Sequence, residues 1–173
     1  MEACENYQKQ SYRNRCHFYA ENGVQALNFP VKHVGGTFNL PIREIEVDYT
    51  TPWVVKTERC IETAYRSSPF FEYYRDELFA ILDSHPVTLW DLDMRIIRFF
   101  MSKIGLGTEI LLTESYAPDH VDIHPKRPDS ILSELGLDRP YYQVFSEKHG
   151  FISGLSVMDL LFNEGPESIC YLR

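Results

Sequence analysis

Three short segments of this 173-residue chain hold most of the residue types that do chemistry. The first is Tyr7-Gln8-Lys9-Gln10-Ser11-Tyr12-Arg13-Asn14-Arg15, which carries three cations, three side-chain amides and two tyrosines, with no aliphatic residue. Read as an extended strand, it places Lys9, Arg13 and Arg15 on one face with Tyr7 and Ser11, because side chains alternate with period two. Arginine forks bind phosphate or carboxylate bidentately, and lysine adds a point charge. Gln10 and Asn14 would orient the bound anion. The competing reading is a solvated edge strand whose cations discourage edge-to-edge pairing. The formal net charge is -8, so any anionic ligand must be met by a local cluster such as this one rather than by the field of the whole molecule.

The second segment is Asp119-His120-Val121-Asp122-Ile123-His124. His120, Asp122 and His124 alternate, but a structural zinc site wants four ligands in a closed tetrahedron and no fourth lies nearby. No metal is expected. His124-Pro125-Lys126-Arg127 adds a second cationic patch, with Lys126 as a candidate substrate contact. The third segment runs from Gln143 to Asn163. Lys148-His149-Gly150 puts an imidazole near a capped helix, where acid–base residues and anions are both at home. His149 and Asp159 are therefore the acid–base candidates, and Gln143, Lys148 and Asn163 the polar contacts. The cations of the first segment are expected to converge with Lys148-His149.

The totals narrow the classes. An acidic chain lacks the basic footprint of a nucleic-acid binder and would be repelled by anionic membranes. No stretch is long enough to span a bilayer, and no signal peptide is present. Cys4, Cys16, Cys60 and Cys170 are scattered without CxxC spacing, which reads as reduced thiols in a cytoplasm. There is no Walker loop, dinucleotide glycine fingerprint or GxSxG elbow, so no cofactor is indicated. Aromatics reach 14%, nearly all Tyr and Phe, and their clusters suit core packing better than a binding platform.

These residues need elements to position them. Asn22-Gly23 between two alternating runs predicts a hairpin over Cys16 to Phe29. Ile42 to Asp48 alternates as a further strand. Thr57 to Tyr65 reads as a short helix. Ser67-Ser68-Pro69 opens an amphipathic helix from Phe70 to Leu82. Leu89 to Ile104 is a second long helix, with Leu89, Leu92, Ile96, Phe99 and Phe100 on one face and Gly105 as its stop. Glu109 to Thr113 and Tyr142 to Ser146 are expected as short strands, separated by a loop-rich region with prolines at 118, 125, 128 and 140. Ser156 caps a last helix through Phe162, with Asp159 in the capping-box position and Gly165 beyond its end. Strands, then a helical middle, then a strand-helix segment predict one α/β or α+β domain over residues 1–173.

The opening segment with its hairpin and Pro30-Val31-Lys32, and then the stretch from Pro140 to Glu167, resemble the WbqC-like protein family. Ile61 to Arg66, Ser68 to Phe71 with Tyr74, and Ile123 to Lys126 fit as well. The resemblance implies a role beside bacterial surface-polysaccharide (O-antigen) genes: a transferase-type step on an anionic activated sugar or amino-sugar, such as a nucleotide-sugar. It equally admits a non-catalytic binding or accessory protein of that pathway. Family members carry a strand-helix unit with a Tyr-Leu-Pro segment before the polar stretch. This chain lacks it, so a shortened, inactive member is a further expectation.

Overall fold

Glu21-Asn22-Gly23 reverses the chain as expected. Strand β1 (Arg15–Ala20) pairs antiparallel with β2 (Gly23–Asn28), in a register running from Arg15 opposite Asn28 to Ala20 opposite Gly23. Neither Glu21 nor Asn22 has positive φ, whereas Gly23 sits at φ +95°. That is a type I turn followed by a left-handed glycine, a standard way to close a hairpin. The computed structural model describes residues 1–33, 40–117, 134–136 and 138–172.

Helices α1 (Trp53–Tyr65), α2 (Phe71–Asp83) and α3 (Leu89–Ile104) follow. After them come a single turn α4 (Ser146–His149), then α5 (Val157–Glu164) and α6 (Ser168–Tyr171). The two-stranded sheet with its surrounding helices makes an α/β architecture. α3 matches its sequence signals closely. Thr88 accepts from the Asp91 N–H at 3.2 Å as N-cap, and Gly105 ends the helix. α1 begins a turn earlier than Thr57. Pro52 supplies no capping side chain, but burial of Trp53 and Val54 holds the extra turn in place.

Three expected strands do not form. Ile42, Ile45 and Val47 are all buried, but Ile42–Glu44 is a 3-10 turn. That turn brings positions i and i+3 to one side, so the apolar spacing is met without a ladder. Single bridges from Val47 to Val31 and from Glu46 to Thr88 complete the segment. Residues 109–113 run as an irregular chain against the N-terminus, with Thr113 N–H donating to the Met1 carbonyl at 3.1 Å. Around Gln143 a side chain replaces a strand rung. Its amide donates to the Ile152 carbonyl at 2.8 Å and accepts from the Ile152 N–H at 2.9 Å.

Two apolar clusters make the core. One gathers Phe18 and Leu27 of the hairpin with Ile61, Tyr65, Phe71, Leu78, Phe100, Leu161 and Phe162. The other gathers Tyr7, Ile42, Ile45, Val47, Trp53, Leu82, Leu89 and Leu92. Ile81 and Ile96 pack against both and join them. Gly165 follows α5 at φ +55°, and a Cβ there would meet the Phe70 ring at 2.5 Å. Close approach of a ring thus demands glycine at this position.

The hub of the C-terminal half is the carboxylate of Asp159, 1% exposed. The Tyr65 hydroxyl donates to it at 2.9 Å, the Tyr141 hydroxyl at 2.7 Å and the Gln143 amide at 3.0 Å. Tyr65 in turn accepts from the Tyr19 N–H of β1 at 3.3 Å. Burial pushes the Asp159 carboxyl upward, and its three donors pull it back down. Replacing Asp159 with Ala strands three buried donors at once, so unfolding free energy should fall by about 3 kcal/mol or more. Asp159→Asn, which keeps the shape and one acceptor, should cost less. Urea denaturation of the two variants checks the order.

Candidate functional site

The opening segment is not an extended strand. Residues 9–14 form a series of turns, with Gln10 in the left-handed region at φ 59°. Ser11 is fully buried and its hydroxyl donates to the Gln8 carbonyl at 2.6 Å, which closes the first turn. The period-two face of Lys9, Arg13 and Arg15 therefore does not exist, because a chain folding back on itself satisfies its backbone locally. Lys9 and Gln10 lie on the exposed turn. Arg13 is mostly buried and grips Glu5 bidentately, its Nε donating to Oε1 at 2.6 Å and its Nη2 to Oε2. Asn14 extends the hairpin by one position, its amide donating to the Phe29 carbonyl at 3.1 Å. Arg15 donates from Nε to the Asn28 side chain at 2.7 Å and makes no ion pair with a described carboxylate.

The C-terminal candidates lie elsewhere. His149 Nε2 sits 2.8 Å from the Glu21 carbonyl, and Lys148 Nζ is 3.3 Å from the Glu21 carboxylate. Both therefore dock on the hairpin turn, while Arg15 stands at the hairpin base. Five strand residues at about 3.3 Å each separate the two ends, so the expected convergence is absent. Gln143, fully buried, and Asp159 belong to the hub. Asn163 donates to the Asp159 carbonyl at 2.8 Å, and its side-chain oxygen is buried without a partner. Lys126, with His120, Asp122 and His124, lies outside the described residues.

The structure instead brings functional types together around a cavity of about 710 Å³ between the hairpin base and α3. Leu27, Ile61, Leu78, Leu82, Ile97 and Phe100 give it a largely apolar wall. The Glu5–Arg13 pair, Tyr12 and Arg15 stand on one side, and Ser156 with Met158 closes another. α5 is fixed there by Ser156 N–H donating to the His17 carbonyl at 2.8 Å and by Asp159 one residue beyond Met158. The volume falls in the range of small-molecule sites, which are mostly apolar with a few placed polar groups.

Asp93 is the group that sequence reading passed over. It lines the cavity, and its carboxyl makes no hydrogen bond or ion pair with another described residue. Burial raises its pKa well above the ordinary carboxylate range. The signal was present: Asp93 stands four residues after Leu89 and three before Ile96, inside the apolar stripe of α3. An acid on that stripe is costly unless something meets it. Two neighbours feel it. The buried Tyr7 hydroxyl is pushed up by burial and by Asp93, against the pull of Arg13 and Arg15. The Cys16 thiol, also on the cavity, is pushed up to about 11 by burial, with Asp93 adding to the rise and a hydrogen bond from Ser156 opposing it. Cys16 is thus a neutral thiol at physiological pH rather than a thiolate nucleophile. All four cysteines are free. No described helix is long and apolar enough to cross a membrane.

A model of the WbqC-like protein family matches residues 1–136. The uncharacterized protein Rv1507c of Mycobacterium tuberculosis is 27% identical over 198 residues, covering 96% of this chain and 84% of its own. No solved structure matches significantly. The family match contains the cavity walls from the N-terminus through α3, and the similarity to the mycobacterial protein extends into the hub.

Two substitutions separate a paired charge from one left facing the cavity. Arg13→Ala leaves Glu5 unpaired in a mostly buried position and should cost about 3 kcal/mol, whereas Arg13→Met combined with Glu5→Gln should recover most of it. Thermal denaturation of the single and double variants reads this. Asp93→Asn should act oppositely and with pH. The folded-state pKa of Asp93 lies above the unfolded one, so its contribution is intact below the unfolded pKa and is lost as pH rises through the folded value. Asp93→Asn should therefore stabilise the protein by about 1–3 kcal/mol at pH 8, and the gain should vanish near pH 3.5. Urea midpoints across that range give the sign.

Proposed function

Because this chain belongs to the WbqC-like protein family, we propose that it performs a transferase-type step of bacterial surface-polysaccharide (O-antigen) biosynthesis in the cytoplasm. Its substrate is an activated sugar or amino-sugar held in the cavity between the hairpin base and α3. The observation that carries the reading is Asp93, a carboxyl without a described partner on the wall of a small-molecule-sized cavity.

The chemistry follows from its surroundings. A carboxyl whose pKa is raised by burial is a stronger base than a solvated one. When a sugar amine or hydroxyl attacks an acyl donor, the acyl bond to the donor's leaving group breaks as the new amide or ester forms. The leaving group departs with the donor, and Asp93 in its ionised form is placed to take the proton that the nucleophile sheds. A ligand amine would also satisfy the carboxyl by a charge-assisted hydrogen bond. Arg15, whose guanidinium has the Asn28 side-chain oxygen as its partner among the described residues, meets the anionic part of the substrate. Arg13 keeps the mouth in shape through Glu5, and Asp159 positions the α5 wall that carries Ser156 and Met158. His149 and Lys148, docked on the hairpin turn, are placed away from this cavity and take no part in the step.

Titration calorimetry against UDP-, dTDP- and GDP-linked sugars and amino-sugars tests the proposal. At least one should bind. Arg15→Ala should weaken it by roughly tenfold to a hundredfold, the loss of one charge-assisted hydrogen bond of about 1.5–3 kcal/mol. Asp93→Asn should abolish transfer, followed by mass spectrometry of the sugar with acyl donors, and should weaken binding of amino-sugars more than that of neutral sugars. Absence of binding to the whole panel, or equal binding by Arg15→Ala, overturns the site. A bound sugar that stays unmodified with every donor assigns the chain the accessory role instead.

A further inference from the structure

At the turn end of the hairpin a second concavity of about 420 Å³ opens between α1, the β1–β2 turn and the chain before α4. It shares no lining residue with the cavity at Asp93. Two arginines line it, Arg59 and Arg66. They stand seven residues apart, Arg59 in the middle of α1 and Arg66 at its C-cap, two helical turns and about 10 Å along one face. Neither makes an ion pair with a described carboxylate, whereas Arg13, Arg75 and Arg95 each do. Among the described lining residues the acid is Glu21, and its carboxylate is already engaged by Lys148 at 3.3 Å. Among the described residues, neither arginine of the concavity has a carboxylate in ion-pair contact, in a chain of net charge -8.

Its remaining chemistry suits an anion rich in oxygen. Asn22 and Gln25 contribute amides from the hairpin, and Thr63 and Ser67 contribute hydroxyls from α1 and the turn after it. All four are exposed donors facing one space. The Phe18 and Phe145 rings provide an apolar wall, which would pack against the organic part of the ligand. Helix electrostatics accounts for part of the pattern only. Arg66, the C-cap of α1, complements the carbonyl end of the helix dipole, but that effect fades within the last turn and does not reach Arg59.

We propose that this cleft is a second, phosphate-binding site, which takes a phosphorylated small molecule between the guanidinium forks of Arg59 and Arg66. Two arginine forks on one helix face match the several oxygens of a phosphate or diphosphate, where lysines would offer point charges only. The site stands independently of the role given to the cavity at Asp93.

Titration calorimetry with inorganic pyrophosphate and inorganic phosphate in 0.15 M salt tests it. Wild type should show saturable pyrophosphate binding. Arg59→Gln combined with Arg66→Gln should weaken it at least tenfold, while Lys56→Gln combined with Arg98→Gln, two exposed cations elsewhere, should leave it within twofold. Asp93→Asn should also leave it unchanged, which separates this site from the cavity. Arg59→Lys with Arg66→Lys keeps the charge without the forks and should bind with intermediate affinity, so any loss of stability in the glutamine variant does not decide the matter. No saturable binding by wild type, full affinity in the glutamine variant, or an equal loss in the Lys56/Arg98 variant overturns the proposal.

Discussion

One buried carboxylate organises the half of the molecule that closes the site. Asp159 gathers donors from α1, from the chain before α4 and, through Tyr65, from the first strand. In a low-dielectric interior each such bond is stronger than in water, and each group left without its partner is correspondingly costly. The arrangement therefore tolerates little variation. Tyr19 reinforces it from the same strand, its hydroxyl reaching the Phe145 and Gly150 carbonyls at 3.1 and 2.9 Å. Because α5 leaves this hub with Ser156 and Met158 turned to the cavity, the hub fixes one wall of the site without lining it.

The electrostatics divide cleanly between groups that neutralise each other and groups that do not. Arg13 and Glu5 form a bidentate pair with little exposure, so they shape the cavity mouth and present little net charge. Asp93, on the opposite wall, has no such partner among the described residues. The carboxyl is held toward its neutral form, and the same desolvation keeps Cys16 protonated beside it. Natural sequences place an acid on an apolar helix stripe where stability yields to another demand. The cavity at Asp93 and the arginine-lined cleft lie on opposite ends of the same hairpin. Both draw on α1, which sends Thr57 and Ile61 to one and Arg59 and Thr63 to the other.

Local order along the chain was legible wherever a signal and its partner lie close in sequence. The Asn22-Gly23 turn, the Gly105 stop and the apolar stripe of α3 each depend on neighbours within a few residues, and each appears in the structure. The family was legible for a related reason, since spaced motifs survive in the sequence even where their roles are unknown. The three absent strands mark the limit. A strand needs a partner along its whole length, and alternation in Ile42 to Asp48 says nothing about whether one is available. Burial of Ile42, Ile45 and Val47 was achieved by a 3-10 turn and single bridges instead.

The sequence by itself determined the hairpin, the long helices, the acidic background and the kinship with the WbqC-like family. Only the tertiary structure decided which polar residues face a cavity and which face each other. Arg13 reads as an anion contact until Glu5, eight residues earlier, folds back onto it, and Asp159 reads as an acid–base group until Tyr65, 94 residues away, donates to it. Asp93 reads as an ordinary charged residue on an amphipathic helix until the hairpin base encloses the space in front of it. The physical reason is common to all three. A charged side chain acts through the dielectric and the partners around it, and those are set by residues distant in sequence that only the folded chain brings within reach.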